Sequence, residues 1–191
     1  SKGISDLTIF SGFALFGGAM IRDLAIASTA FEVDVKAVKK AGKIGLIALM
    51  LGCVVPFVIG VMTAWLMGYR DPIAMTTIGA GAMTYIVGPI TGSAIGASSD
   101  VIALSIAIGL IKSVFFMVGT PLLAKFMYLK SPRSAMIFGG LAGTTSGTAA
   151  GLAGTDMRLV PYGALVATFY TGLGCLLAPS VFFLTVNAIF G

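Results

Sequence analysis

The sequence has no histidine, only two cysteines and few charged residues. Without histidine, the chain lacks the commonest metal ligand and general base of proteins. Cys53 and Cys175 each stand alone in an apolar run, so neither belongs to a CxxC motif. The sequence also has no Ser/His/Asp set, zinc-ligand spacing or phosphate-binding loop. We therefore expect neither an enzyme nor a protein with a bound cofactor or a structural metal.

The scarcity of charge indicates a membrane protein. Charged residues make up 10% of the 191 residues and hydrophobic residues 58%, whereas soluble domains carry about 25% charged residues. A chain of this size cannot hide so much apolar surface from water, so we expect a lipid bilayer around it. The basic residues are not interleaved with aromatic ones, and the net charge of +5 therefore does not indicate a nucleic-acid partner. Uncharged runs cover residues 7–21, 44–69, 72–99, 113–124, 134–155 and 159–191.

Several of these runs exceed the roughly 20 residues that a spanning helix needs, which predicts an all-α polytopic integral membrane protein. In the N-terminal part, residues 1–72, an apolar segment at 5–21 is followed by an amphipathic stretch at 24–43. The lysines of that stretch indicate a cytoplasmic loop or an interfacial helix. A spanning helix is predicted at 44–68. Because the chain begins at Ser1 without a methionine, we expect that an N-terminal piece is missing from it.

The remainder of the chain contains one arrangement twice. In repeat 1, residues 73–128, a Gly/Thr-rich segment at 73–99 leads into a long apolar helix. In repeat 2, residues 129–191, a similar segment at 134–155 does the same. Together with the N-terminal part, the repeats form a single membrane domain, residues 1–191. The Gly-rich segments share a short local match, GSAIG at 92–96 and GTAAG at 147–151.

The placement of basic residues favours re-entrant hairpins over full crossings for the two Gly-rich segments. If both segments crossed the membrane, Lys125, Lys130 and Arg133 would lie opposite the lysine-rich stretch at 24–43. If each segment is a hairpin that enters and leaves on one side, both basic groups lie in the cytoplasm, as the positive-inside rule requires. The hairpins then enter from opposite faces, which predicts inverted repeats of a hairpin plus a long transmembrane helix, typical of secondary transporters.

The hairpin tips, predicted at 88–96 and 143–151, are the first candidate site. Irregular backbone at membrane depth is tolerated only beside protein or a water-filled cavity. The free N–H groups of half-helices bind anions, and their carbonyls bind Na⁺. Alternatively, the small residues serve only close helix packing. If they bind, valine at Gly92 or Gly147 should harm transport more than valine at Gly60. The predicted substrate-binding residues of the tips are Thr91, Gly92, Ser93, Thr145, Ser146, Gly147 and Thr148.

Lys112 is the second candidate, because it falls near the middle of the membrane. It lies twelve residues after Asp100, which is about 18 Å along a helix. A buried ammonium at that depth is expensive and usually functional. A dicarboxylate would offset its charge, which predicts a substrate-binding role. An ion pair with Asp100 or Asp156, or snorkelling of the side chain toward an interface, would explain Lys112 without substrate.

Asp100 and Asp156 each end a Gly-rich segment and precede a long helix. Aspartate is a good N-cap, so capping is one interpretation. The other is a cation site, or a partner for Lys112 or Arg158. We name Asp100, Asp156, Ser98 and Thr144 as candidate Na⁺-binding residues.

Two long stretches resemble the MadM family. They are TTIGAGAMTYIVGPITGSAIGASSDVIALSIAIGLIKS at 76–113 and PRSAMIFGGLAGTTSGTAAGLAGTDMRLVPYGAL at 132–165, with shorter ones at 10–33 and 68–82. MadM is the larger membrane subunit of the two-component malonate transporter. The resemblance implies uptake of malonate coupled to Na⁺ across the bacterial inner membrane, together with the small membrane subunit MadL. It assigns no ligand atoms, so the site residues above rest on physical reasoning alone.

Two other classes of function stay open at this point. An anion channel also uses Gly/Thr-rich re-entrant loops, although two dissimilar broken segments favour alternating access over a symmetric pore. A scaffold subunit that transports nothing has no need to bury a charge such as Lys112. The sequence also leaves open whether the protein forms a higher oligomer.

Overall fold

The protein is described by a computed structural model over residues 35–191, and every regular element in that part of the chain is helical. The predicted apolar segment at 5–21 and most of the amphipathic stretch lie outside the described residues. The helices are α1 (Val35–Leu66), α2 (Pro72–Met83), α3 (Val87–Ile95), α4 (Ser99–Leu123), α5 (Pro132–Ala142), α6 (Thr145–Ala153), α7 (Val160–Leu177) and α8 (Phe183–Phe190). A 3₁₀ turn, Met157–Leu159, precedes α7, and a π-helical turn, Ala178–Phe182, joins α7 to α8.

Three helical stretches in the described part are long and apolar enough to cross a membrane: Gly45–Leu66 in α1, Ser99–Leu123 in α4, and Met157–Phe190 in α7 and α8. Large hydrophobic side chains cover their outer surfaces; Ile111 and Leu122 on α4 are 71% and 78% exposed. Such a surface is stable only in lipid. The chain is therefore a membrane protein, as its composition predicts.

Local sequence explains where α2 and α5 begin. Asp71 caps α2, because its carboxylate accepts hydrogen bonds from the N–H groups of Ile73 and Ala74 at 3.3 and 3.1 Å. Ser131 caps α5 in the same way by accepting from the N–H of Ser134. A proline follows each cap at the first helical position, where its missing N–H costs nothing.

Each Gly/Thr-rich segment is interrupted, and the structure fixes where. The first break is at Thr84–Ile86, between α2 and α3; Thr84 is extended (φ −150°, ψ 155°). The second is at Gly143–Thr144, between α5 and α6; Gly143 is left-handed (φ 59°) and Thr144 extended. The predicted first tip at 88–96 is therefore wrong in position: those residues form most of α3. The predicted second tip, 143–151, begins at the second break, but most of it forms α6, which begins at Thr145.

The same order of helices surrounds both breaks: two short helices are followed by a long one, as α2, α3 and α4 and again as α5, α6 and α7. The bounds of α6, 145–153, lie 58 residues after those of α3, 87–95. The sequence match of 92–96 with 147–151 has an offset of 55 and is out of register with the helices. The glycines of the two matching segments also have different neighbours: Gly92 packs against Ile102, whereas Gly147 packs against the backbone of Ser113.

The helices α2 and α3 form one short pair, and α5 and α6 form another. The end of each pair that lies opposite its break is its open end, and the two open ends lie at different ends of α4. The start of α2, the end of α3 and the start of α4 line one cavity of about 260 Å³; Asp71, Gly96 and Ser98 are among its walls. At the other end of α4, Thr120 lies against the end of α6, since a Cβ at Gly151 would be 2.6 Å from the Thr120 hydroxyl oxygen.

Candidate functional site at the two helix breaks

Lys112 joins the middle of α4 to the first helix break. Its ammonium donates hydrogen bonds to the carbonyl oxygens of Ala82 and Met83, at 3.1 and 2.8 Å. These are the last residues of α2, and the final carbonyls of a helix have no partner within it. A cation there also faces the negative end of the helix dipole. The ammonium is thus held by main-chain oxygens, and not by Asp100 or Asp156 as an ion pair would require.

Tyr170 on α7 lies between Lys112 and the second break. The Lys112 ammonium nitrogen is 5.8 Å from the centre of the Tyr170 ring, within the range of a cation–π contact. The ring is fully buried, and its hydroxyl has no hydrogen-bond partner among residues 35–191. That hydroxyl lies beside Gly143, because a Cβ there would be 2.6 Å from the phenolic oxygen. A buried polar atom without a partner is costly, so the hydroxyl is a candidate ligand-binding group.

Ser113, next to Lys112 on α4, connects two of the predicted site residues. Its hydroxyl oxygen accepts a hydrogen bond from the Thr144 hydroxyl at 2.9 Å and is hydrogen-bonded to the Ser146 hydroxyl at 2.9 Å. Gly147 permits this approach, since a Cβ at that position would be 2.7 Å from the Ser113 carbonyl oxygen. Thr145 faces the other way, and its hydroxyl donates to the Ala167 carbonyl at 3.3 Å. The second break thus lies between α4 and α7, and hydroxyl hydrogen bonds join it to both helices.

The two breaks differ in how the N–H groups of the following helix are satisfied. At the first, the Thr84 hydroxyl accepts hydrogen bonds from the N–H groups of Ile86 and Val87, at 3.0 and 3.1 Å, so the start of α3 is capped. The carbonyls at the end of α2 are the main-chain groups at this break that have no partner within a helix. At the second, Thr144 gives α6 no side-chain cap, because its hydroxyl bonds to Ser113. The N–H groups in the first turn of α6 therefore have no partner within the helix and no side-chain cap. The first break suits a cation and the second an anion.

The predicted residues fall into a central group and an outer group. Lys112, Thr144, Thr145, Ser146 and Gly147 lie at or beside the breaks. The others lie farther along the helices. Thr91 and Gly92 are buried in α3, Ser93 is exposed near its end, and Thr148 is buried in α6 with a hydroxyl that has no partner in the described part of the chain. Ser98 and Asp100 are exposed at the start of α4, and Asp156 lies before α7.

The two aspartates have different roles in the structure. Asp156 is the predicted N-cap, since its carboxylate accepts from the main-chain N–H of Arg158 at 3.0 Å. It also pairs with the Arg158 guanidinium at 2.9 Å, and this hydrogen bond lowers the pKa of the Asp156 carboxyl. Asp100 is not a cap: Ser98 occupies the N-cap position, and Asp100 lies in the first turn of α4.

Sequence reasoning missed Ser113 and did not place Tyr170 in a site. Both are polar side chains on otherwise apolar helices, a pattern that more often reflects bonding to the helix's own carbonyls. The described residues contain no group of three or more Asp, Glu, Cys or His that could hold a metal ion.

Comparison with known proteins gave one match. A family model described as "Malonate/sodium symporter MadM subunit" matches residues 1–190. No curated protein and no solved structure gave a significant match.

Proposed function

Because the chain belongs to the MadM family of malonate/sodium symporter subunits, we propose that it binds malonate between the two helix breaks and carries it with Na⁺ by alternating access. The membrane would be the bacterial inner membrane, and the small subunit MadL would be the partner. A transporter subunit releases its substrate chemically unchanged, so the proposal assigns no catalytic residue.

The observation that carries the proposal is the convergence of a half-buried ammonium, an unpartnered hydroxyl and an uncapped helix start. Lys112 brings one positive charge to the middle of α4, and Tyr170 brings a hydroxyl that has no partner within the described residues. The start of α6 adds main-chain N–H groups, which favour anions. Malonate has two carboxylates one carbon apart. We propose that one binds at the start of α6 with the Tyr170 hydroxyl and the other binds Lys112.

Several contacts support inverted re-entrant hairpins. The first pair of short helices has both of its ends at the start of α4, and the second pair packs its far end on Thr120, near the end of α4. Both breaks reach the middle of α4, at Lys112 and Ser113. Since α4 has 25 residues, it is about 37 Å long and exceeds the roughly 30 Å hydrocarbon core. We infer that the hairpins enter from opposite leaflets and meet at mid-membrane.

The proposed binding residues are those of the central group, together with Tyr170 and Ser113. Thr148 extends this group along α6. The remaining predicted residues lie farther from the breaks. Thr91 and Gly92 are buried in the packing of α3. The others lie nearer the open ends of the hairpins, where they would line a path rather than hold the substrate: Ser93, Ser98, Asp100 and Asp156.

Flux in proteoliposomes tests the proposal. The chain, reconstituted with its partner subunit, should take up radiolabelled malonate saturably and only with an inward Na⁺ gradient. An ohmic malonate current without Na⁺ dependence would identify a channel instead. The absence of any flux with the partner present would identify a scaffold.

A further inference from the structure

The ammonium of Lys112 occupies a position that suits a monovalent cation. Its nitrogen lies 3.1 and 2.8 Å from the carbonyl oxygens of Ala82 and Met83, where α2 is interrupted. Carbonyls at the end of an interrupted helix are the ligands with which secondary transporters hold Na⁺. We propose that Lys112 and Na⁺ compete for these two carbonyls, and that the ammonium replaces Na⁺ there in the malonate-free protein. This inference rests on the proposed function.

The competition follows from charge and space. An ammonium hydrogen-bonded to both carbonyls leaves no room for a second cation on the same oxygens, and the two positive charges would repel strongly in a poorly solvated interior. The Thr84 hydroxyl oxygen already accepts two hydrogen bonds from N–H groups at the start of α3, so the competition concerns the two carbonyls. The carbonyls of Ala82 and Met83 are therefore available to one cation at a time.

Malonate provides a reason for Lys112 to leave. The side chain has a flexible four-carbon stem, and its nitrogen lies over the ring of Tyr170, whose far end reaches Gly143 beside the start of α6. A carboxylate bound there would attract the ammonium across the ring, away from the first break. Lys112 then pairs with malonate.

Once Lys112 has moved, the carbonyls of half-buried Ala82 and buried Met83 lose the ammonium from which they accept hydrogen bonds, which is unfavourable. A Na⁺ ion satisfies them. The loaded site then holds a dianion with two cations and is neutral, whereas Na⁺ without malonate would put two positive charges side by side. Malonate and Na⁺ therefore each raise the affinity for the other, and thermodynamic linkage makes the two effects equal. The exchange of one tethered cation for one free cation is a physical basis for coupling.

Equilibrium binding of ²²Na⁺ tests this exchange directly. The full chain with its partner subunit would be measured in lipid nanodiscs, with and without malonate. In the wild type, malonate should raise the Na⁺ affinity at least about tenfold, a coupling of about 1.4 kcal/mol. Lys112→Met removes the competing charge while keeping the length of the side chain. Without malonate it should bind Na⁺ at least about tenfold more tightly than the wild type, and malonate should have no further effect.

Two variants serve as controls. Lys125→Met removes a lysine from the loop after α4, far from the breaks, and should leave Na⁺ binding unchanged. Lys112→Arg keeps the positive charge and should keep malonate-free Na⁺ binding as weak as in the wild type. Na⁺ binding by Lys112→Met that is no tighter than wild type would overturn the inference, as would tight Na⁺ binding by Lys112→Arg.

The wild type alone also decides the matter if Lys112→Met does not fold. Na⁺ affinity that is unchanged by malonate would contradict the exchange. The proposed function fails separately, through the absence of Na⁺-dependent malonate uptake by wild-type proteoliposomes. Suppose that the wild type takes up malonate with Na⁺ but that Lys112→Met binds Na⁺ no more tightly than the wild type. That result would overturn only the exchange and leave the proposed function standing.

Discussion

Lys112 and Tyr170 face each other in the middle of the protein, and each is tied to a different helix break. The ammonium nitrogen is 5.8 Å from the centre of the aromatic ring. Lys112 holds the end of α2, while the Tyr170 hydroxyl end packs on Gly143. A movement at either break would therefore change the contact between these two side chains.

Lys112→Met should abolish malonate binding while the protein still folds. The methionine fills similar space but gives the dianion no partner charge. Titration calorimetry on the purified variant should show malonate affinity reduced at least about tenfold, since each 1.4 kcal/mol of lost binding is tenfold. Unchanged affinity would remove Lys112 from the site. Lys125→Met, in the loop, is the matched control.

Tyr170→Phe should weaken malonate binding without weakening the fold. The hydroxyl has no partner in the described part of the protein, so removing it should leave stability unchanged or raise it by up to about 1 kcal/mol. Malonate affinity should fall about tenfold, because a bound carboxylate loses one hydrogen bond. Thermal unfolding and calorimetry separate the two effects. A marked loss of stability would indicate that the hydroxyl has a structural partner.

Gly147→Val should reduce both stability and transport more than Gly172→Val. A Cβ at Gly147 would lie 2.7 Å from the Ser113 carbonyl oxygen, whereas nothing lies within 4 Å of one at Gly172. Overpacking of this kind costs about 1–3 kcal/mol. Thermal unfolding and malonate uptake measure the difference, and equal effects at both glycines would contradict the described packing of α6 on α4.

Gly60 is unsuitable as the control that the sequence suggested. A Cβ at Gly60 would lie 2.6 Å from that of Ala82 and 2.8 Å from the Cα of Gly79. Gly60 therefore permits close packing of α1 on α2, and valine there should also be harmful.

Thr84→Val should destabilise the first break. Valine has the shape of threonine but cannot accept the hydrogen bonds from Ile86 and Val87. Loss of such a cap costs about 0.5–2 kcal/mol, and the loosened break should also lower Na⁺ affinity at the neighbouring carbonyls. Thr84→Ser keeps the hydroxyl and should retain both properties. If serine and valine behave alike, the cap is not what stabilises the break.

Single cysteines should report the orientation of the two hairpins. Ser93, near the end of α3, and Ala153, at the end of α6, are both exposed. With Cys53 and Cys175 replaced, a membrane-impermeant maleimide should label Ser93→Cys and Ala153→Cys from opposite sides of the membrane. Labelling of both from the same side would contradict inverted hairpins.

Much of the architecture follows from composition and pattern. The apolar runs predict the spanning helices of α1, α4 and α7, and the clusters of Gly and Thr predict that two segments are interrupted. Lys112 is conspicuous because a charge in an uncharged helix has few structural explanations. The family resemblance rests on the same stretches and is confirmed by the match over residues 1–190.

The sequence by itself determined that the protein is a membrane protein, that two of its segments are broken and that one lysine lies in the middle of an apolar helix, because hydrophobicity and small-residue content are local properties of the chain. Only the tertiary structure decided that the first break is at Thr84 rather than among the glycines of α3, since those glycines are used for contact with neighbouring helices. It also decided that Ser113 and Tyr170 lie beside the helix breaks, because their neighbours come from helices distant in sequence and no local pattern encodes such contacts.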